Sequence, residues 1–292
     1  VSDKTTINRF DVTALYDSFV ESAMACPAPE GPWRKPKLVE YVRNQEEWDG
    51  ITYFTDKLLH LAPQVESKYK IAILMEPPEL LPQIYNIVQH FEEHYDLIFT
   101  YATELVELNP EKYIFYPADM AAIEEENCKM HDKTKLISMI YSNKTELPGH
   151  QLRHIIADRF IPVIEYDKID LYGTGTDNPI KNKSEGCIDY MFQIAIENTS
   201  RKSYFADKLL DCFITGCIPI YWGCPNIDEF FDIRGILTFN SFDELKEILE
   251  NLSEAQYFSM LEYAQNNFNV ANENYTCPDD YIYQEVVKRL NI

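Results

Sequence analysis

The sequence predicts an α/β protein built from two successive units, each with a mostly parallel sheet flanked by helices. Three observations carry this. Short apolar runs bounded by breakers alternate with stretches of helical period, the pattern of strand–helix–strand crossovers. The alternation runs twice, interrupted by an acidic, breaker-poor segment at Glu124–Asp132. With 292 residues, 46% of them apolar and 13% aromatic, the chain can bury two cores.

Taken in order, the first 45 or so residues are the least regular. Phe10–Met24 has apolar residues at helical spacing, and a proline-rich loop, CPAPEGPWRKP, follows. KYKIAILME, from Lys68, reads as a buried strand, Pro82–His94 as a helix, and YDLIFTY and KYIFYPA as strands. The second series opens with KLISMIYSN as a strand, followed by a helix over Pro148–Phe160 with proline early in its first turn. IPVIEYD, IDLYG and MFQIAIEN read as strands, Tyr204–Thr215 as a helix, and CIPIYWG and GILTF as strands. Helices over Phe242–Leu252, Glu254–Phe268 and Asp280–Leu290 close the chain. The expected organisation is an N-terminal unit over 1–131, a second unit over 132–270, and a terminal segment, 271–292, returning to the first.

Charge narrows the function. The 26 basic and 48 acidic residues leave a net charge of −22, which repels nucleic acid and anionic membranes. A site for an anionic ligand must then be a local cationic patch. No apolar run reaches the ~18 residues that cross a bilayer. Seven cysteines without a CxxC pair suggest reduced thiols and a cytoplasmic protein, the alternative being a lumenal part of a longer membrane-anchored chain.

The most informative stretch is FQIAIENTSRKSYFADKLLDCFITGCIPIYWG, from Phe192. A strand ends at Glu197-Asn198, a loop carries Arg201 and Lys202, and a helix follows. Helical spacing places Tyr204, Asp207, Lys208 and Asp211 on one face, with Phe205, Leu209, Cys212 and Phe213 on the other. A strand end meeting a helix N-terminus is where α/β sheets hold phosphates. By pattern alone, the charged face is equally an ordinary solvated one.

The wording of this segment resembles the donor-binding signature of the α-1,3/1,4-fucosyltransferase family, glycosyltransferase family 10. Its Glu-Asn, Tyr-x-x-Glu-Lys and Gly-x-x-Pro elements correspond to Glu197-Asn198, Tyr204 to Lys208 and Gly216 to Pro219. Asp170-Leu171-Tyr172-Gly173 and Ser142-Asn143-Lys144 with Arg153 resemble further family segments. The resemblance is broad over Lys133–Phe242. It implies a GT-B fold, two Rossmann-like domains facing across a cleft, and inverting transfer of fucose from GDP-fucose to a glycan acceptor. It further implies that Arg153, Lys208 and Tyr204 meet the donor phosphates, that Asn198 contacts the donor region, and that Asp207 holds ribose hydroxyls. Glu197, Ser142, Asn143 and Lys202 are secondary candidates. Two departures stand out: Asp207 replaces the family's glutamate, and Ala206 its threonine. A different nucleotide sugar, or a non-catalytic binding protein, is the alternative.

In the first unit one short motif, Met75-Glu76-Pro77-Pro78, resembles the family's catalytic segment. Glu76 would take the acceptor hydroxyl's proton, with Glu79 as the competing carboxylate. No D-x-D triplet occurs, so no metal cofactor is expected and cationic side chains would neutralise the diphosphate. His90-Phe91-Glu92-Glu93-His94 matches H-x-x-E-H, a zinc-peptidase pattern, yet flanks an apolar helix stripe without a third ligand, and reads as a helix edge.

Overall fold

The computed structural model describes residues 4–10, 36–74, 78–79, 81–117, 121–164 and 168–292. They form two compact units: Val1–Asp119 together with Cys277–Ile292, and Met120–Thr276.

The first unit holds a six-stranded sheet of β1 (Thr5–Phe10), β2 (Val39–Arg43), β3 (Glu47–Thr55), β4 (Glu66–Ile73), β5 (Leu97–Thr100) and β6 (Tyr113–Phe115). Its order is β2-β1-β3-β4-β5-β6, and every pairing is parallel. The last three strands match the apolar runs in the sequence. β1 to β3 escape it because polar residues sit inside them. Asn8 in β1 is fully buried, donating to Thr52 Oγ1 of β3 (3.2 Å) and to the Gln45 carbonyl (2.8 Å). Phe10, read as the start of a helix, ends β1 instead, while 11–24 lie outside the described residues. The first helix, α1 (Pro82–His90), stops four residues short of His94, and Glu92–His94 form a 3-10 turn. His90 and His94 therefore share no continuous helix, and among the described residues no three His, Cys, Asp or Glu side chains cluster as a metal site. α2 (Thr103–Leu108) joins β5 to β6.

The second unit holds β7 (Lys135–Ile140), β8 (Ile169–Tyr172), β9 (Tyr190–Ile196), β10 (Ile218–Trp222) and β11 (Leu237–Thr238), in the parallel order β11-β10-β9-β7-β8. All seven residues of β9 are buried, as expected of a central parallel strand covered on both faces. After β7 comes α3 (Pro148–Ile155), continued by a π turn over Ile156–Phe160 into α4 (Ile161–Val163). The strand expected over IPVIEYD is thus corrected: Ile161–Val163 is helical, and Glu165–Asp167 lie outside the described residues. Pro162 lacks the N–H of an uninterrupted α-helix, and the π turn shifts the ladder just before it.

α5 (Asp207–Thr215) follows β9, and its last turn closes on Gly216 at φ 74°, where Gly216 N–H reaches Phe213 O (3.1 Å) and Cys217 N–H reaches Cys212 O (2.9 Å). α6 (Phe242–Asn251) and α7 (Glu254–Asn274) are capped by Ser241 and Ser253, which accept from Glu244 N–H and Gln256 N–H, each at 3.2 Å. Last, α8 (Pro278–Leu290) packs with the first unit, burying Ile282 and Val286 among Ile7, Ile71 and Phe99. Among the described residues no helix is long and apolar enough to cross a membrane, and all six described cysteines are free thiols.

Candidate functional site

In the second sheet β8 lies on one side of β7 and β9 on the other, so the winding reverses between β7 and β9. Such a reversal opens a crevice at the C-terminal strand ends, the usual ligand position in doubly wound sheets. A cavity of about 380 Å³ lies there. Tyr141 and Ser142 border it beyond β7, Gly173 and Thr174 beyond β8, Asn198 beyond β9, and Arg153 and Lys208 from the helices α3 and α5.

Glycine at 149 allows α3 to press against the end of β9. Its N–H donates to Asn198 O (2.9 Å), and a Cβ there would come within 1.7 Å of Glu197 O. One turn later Arg153 is buried. Its Nε and Nη2 donate to Ile196 O at 3.1 and 2.7 Å, and Nη2 also to Asn198 Oδ1 at 2.9 Å. Among the described residues, nothing bonds to Nη1. The guanidinium is thus clamped at the strand end and borders the cavity with donor capacity to spare.

Glu197 is fully buried. Its Oε1 accepts Ala206 N–H (2.8 Å), tying the strand end to the start of α5, while Oε2 lies 4.0 Å from Lys208 Nζ without a hydrogen bond. Burial pushes its carboxyl upward, and Lys208 opposes the shift. Asp211, one turn into α5, is buried too. It accepts Ala122 N–H at 2.5 Å, and burial raises it against the pull of Lys183.

Two corrections concern the helix and the cations. α5 begins at Asp207, so Tyr204 precedes it and shares no helix face with Asp207 and Lys208. Ser203, at φ 61°, turns the chain into the helix and donates its N–H to Asn226 Oδ1 (2.8 Å). Tyr204 is buried and does not line the cavity. Lys202 and Asn143 are exposed and off the lining, and the half-buried Arg201 is off it too. The further cations come instead from Lys144, Lys181 and Lys183. Lys183 pairs with Asp207 and with Asp211 Oδ2 (3.4 Å). Sequence reasoning missed it because IKNKSEG reads as an exposed loop. The available signal was Asn182-Lys183-Ser184-Glu185, a helix-start pattern: Glu185 Oε1 accepts the N–H of Lys181 and of Asn182, each at 2.9 Å, fixing Lys183 between them.

Arg153, Asn198, Asp207, Lys208 and Ser142 are therefore brought together, with Glu197 directly behind. In the first unit, Glu76 lies outside the described residues and Glu79 is exposed.

Residues 130–265 match the family model for the C-terminal part of glycosyltransferase family 10 (fucosyltransferase). An α-(1,3)-fucosyltransferase of Helicobacter pylori is 31% identical over 71 residues, 24% of this chain and 15% of that protein. An α-(1,4)-fucosyltransferase of Arabidopsis thaliana is 34% identical over 59 residues, 20% of this chain and 15% of that protein. The matched segments thus span a small part of both relatives. Among solved structures, an α1,3-fucosyltransferase with GDP-fucose superposes with a TM-score of 0.56 at 15% identity, covering 94% of this chain and 90% of that one. The trehalose-phosphate synthase of Burkholderia xenovorans gives 0.54 at 10% identity, covering 82% and 73%. These likenesses and the two parallel-sheet units make the fold GT-B.

Proposed function

We propose that this chain, whose residues 130–265 match the C-terminal model of glycosyltransferase family 10, transfers fucose from GDP-fucose to a hydroxyl of a glycan with inversion at the sugar. The observation that carries the reading is the cavity at the winding reversal of the second sheet. There Arg153, Lys208 and Lys183 converge beside the N-terminus of α5 in a chain of net charge −22. A guanidinium fixed by Ile196 O and Asn198 offers the two N–H groups of Nη1 to diphosphate oxygens without reorganising. As the sugar leaves, charge grows on the β-phosphate, and cations aimed there stabilise the transition state more than the ground state. Tyr204 supports the site from behind, and Glu76 or, in its place, Glu79 takes the acceptor's proton. Side-chain cations take the place of a metal.

The test is direct. In a panel of GDP- and UDP-sugars, GDP-fucose should raise the melting temperature most, and transfer to a glycan panel should survive excess EDTA. A preference for a UDP-sugar would replace the donor. Activity lost in EDTA and restored by Mn²⁺ would overturn the metal-free account.

A further inference from the structure

We infer that Asp207 serves as the internal counter-ion of the cavity's lysines and gives way to the donor's diphosphate, rather than holding ribose hydroxyls. The inference rests on the donor-site reading above. Asp207 opens α5 and faces two ammonium groups, pairing through Oδ1 with Lys208 and through Oδ2 with Lys183. Among the described residues these are its only partners, and no backbone N–H holds it.

The neighbouring carboxylates are tied down. Asp211 accepts Ala122 N–H and Glu197 accepts Ala206 N–H, and the side chains of the two are 3% and 0% exposed. Asp207 keeps 16% of its side chain exposed. It is therefore the carboxylate that can leave the lysines without orphaning a buried backbone donor.

The lysines, by contrast, have second anchors. Lys183 Nζ lies 3.4 Å from Asp211 Oδ2, and Lys208 Nζ lies 4.0 Å from Glu197 Oε2. When Asp207 swings out, both ammonium groups stay in the cavity, short of negative charge. A diphosphate supplies that charge, and it replaces an anion already seated at a helix N-terminus. Around α5 the lysines Lys183 and Lys208 stand against Asp207, Asp211 and Glu197 and are compensated locally, while Arg153, Lys144 and Lys181 leave the lining as a whole positive. An entering dianion is drawn in by the lining as a whole, and it pairs with these two lysines once Asp207 withdraws. Aspartate, a methylene shorter than the glutamate of the resembling signature, keeps its charge close to the backbone and at the lysines.

Isothermal titration calorimetry with inorganic pyrophosphate and with GDP separates the two roles, because pyrophosphate has no ribose. As a counter-ion, Asp207→Asn binds pyrophosphate about tenfold more tightly than the parent, the scale of one like charge removed from a partly exposed site. GDP binds it no more weakly than before. Lys183→Met weakens both ligands. Asp207→Ser, with the same expected signs, covers the case in which the asparagine variant fails to fold. As a ribose holder, Asp207→Asn would leave pyrophosphate unchanged and weaken GDP, which overturns the inference. Arg153→Ala marks the boundary with the underlying reading. If it weakens both ligands strongly, the donor site stands, and an unmoved Asp207→Asn counts against the counter-ion alone. If the parent binds neither ligand, the donor site itself is wrong and the inference falls with it.

Discussion

The two sheets wind alike and use the point of reversal differently. In each, the second strand lies on one side of the first and the remaining strands on the other. In each, a buried polar pair joins the first and third strands in register: Asn8 with Thr52, and Ser138 with Gln193. The amide of each pair also grips a nearby backbone carbonyl. Asn8 reaches Gln45 O (2.8 Å), in the short link between β2 and β3. Gln193 reaches Gly186 O (2.9 Å), at the end of the turn that carries Lys183 to the cavity. The same cross-strand device thus closes a connection in one unit and positions a cation in the other. Winding order alone does not make a site. The side chains at the strand ends do, and in the second unit these are Arg153 and Glu197, both buried and both bordering or backing a cavity.

The largest effect that would break this contrast belongs to Arg153. Arg153→Ala should weaken GDP binding by ~2–5 kcal/mol, the scale for truncating one partner of a buried charged pair. Unchanged affinity in calorimetry would put the diphosphate elsewhere. Next comes the chemistry proposed for the first unit. Glu76→Gln should leave GDP binding intact and slow transfer by ~10²-fold or more, while Glu79→Gln does less. Inactivity of the Glu79 variant instead would move the base, and indifference to both would remove the first unit from the proton transfer. A smaller effect is expected from Gly149→Ala. Its methyl meets the Glu197 carbonyl, so thermal melts should show a loss of ~1–3 kcal/mol from overpacking. A neutral result would mean α3 does not need its close approach to β9. The smallest concerns Tyr41, whose hydroxyl donates to Asp279 Oδ1 (2.7 Å) and links β2 to α8. Tyr41→Phe should cost about 1 kcal/mol, the net worth of one hydrogen bond, with GDP affinity unmoved. Altered GDP affinity would show that the units are energetically joined.

Legibility in the sequence followed burial. Strands covered on both faces, such as MFQIAIEN and CIPIYWG, are dominated by apolar residues and were readable as strands despite the buried Gln193. TTINRF and EWDGITYFT were not, because their stability draws on polar partners such as Asn8 and Thr52 that only the folded sheet supplies. At the site, Arg153, Asn198, Asp207 and Lys208 were found through wording and spacing. Lys183 was missed, since its significance comes from meeting Asp207 and Asp211 across a loop and a helix. Tyr204 was placed on the wrong side of a helix start, because the left-handed turn at Ser203 falls on a residue that seldom adopts it.

The return of α8 to the first unit has a consequence for synthesis on the ribosome. Ile282 and Val286 cover one face of the first sheet, yet they are made only after Met120–Thr276. At about 5–20 residues per second, that interval is roughly 8–30 s. During it β1–β6 can pair, but the face that α8 will cover stays open to water and to other nascent chains. The unit begun first therefore waits for Cys277–Ile292 before its sheet is covered.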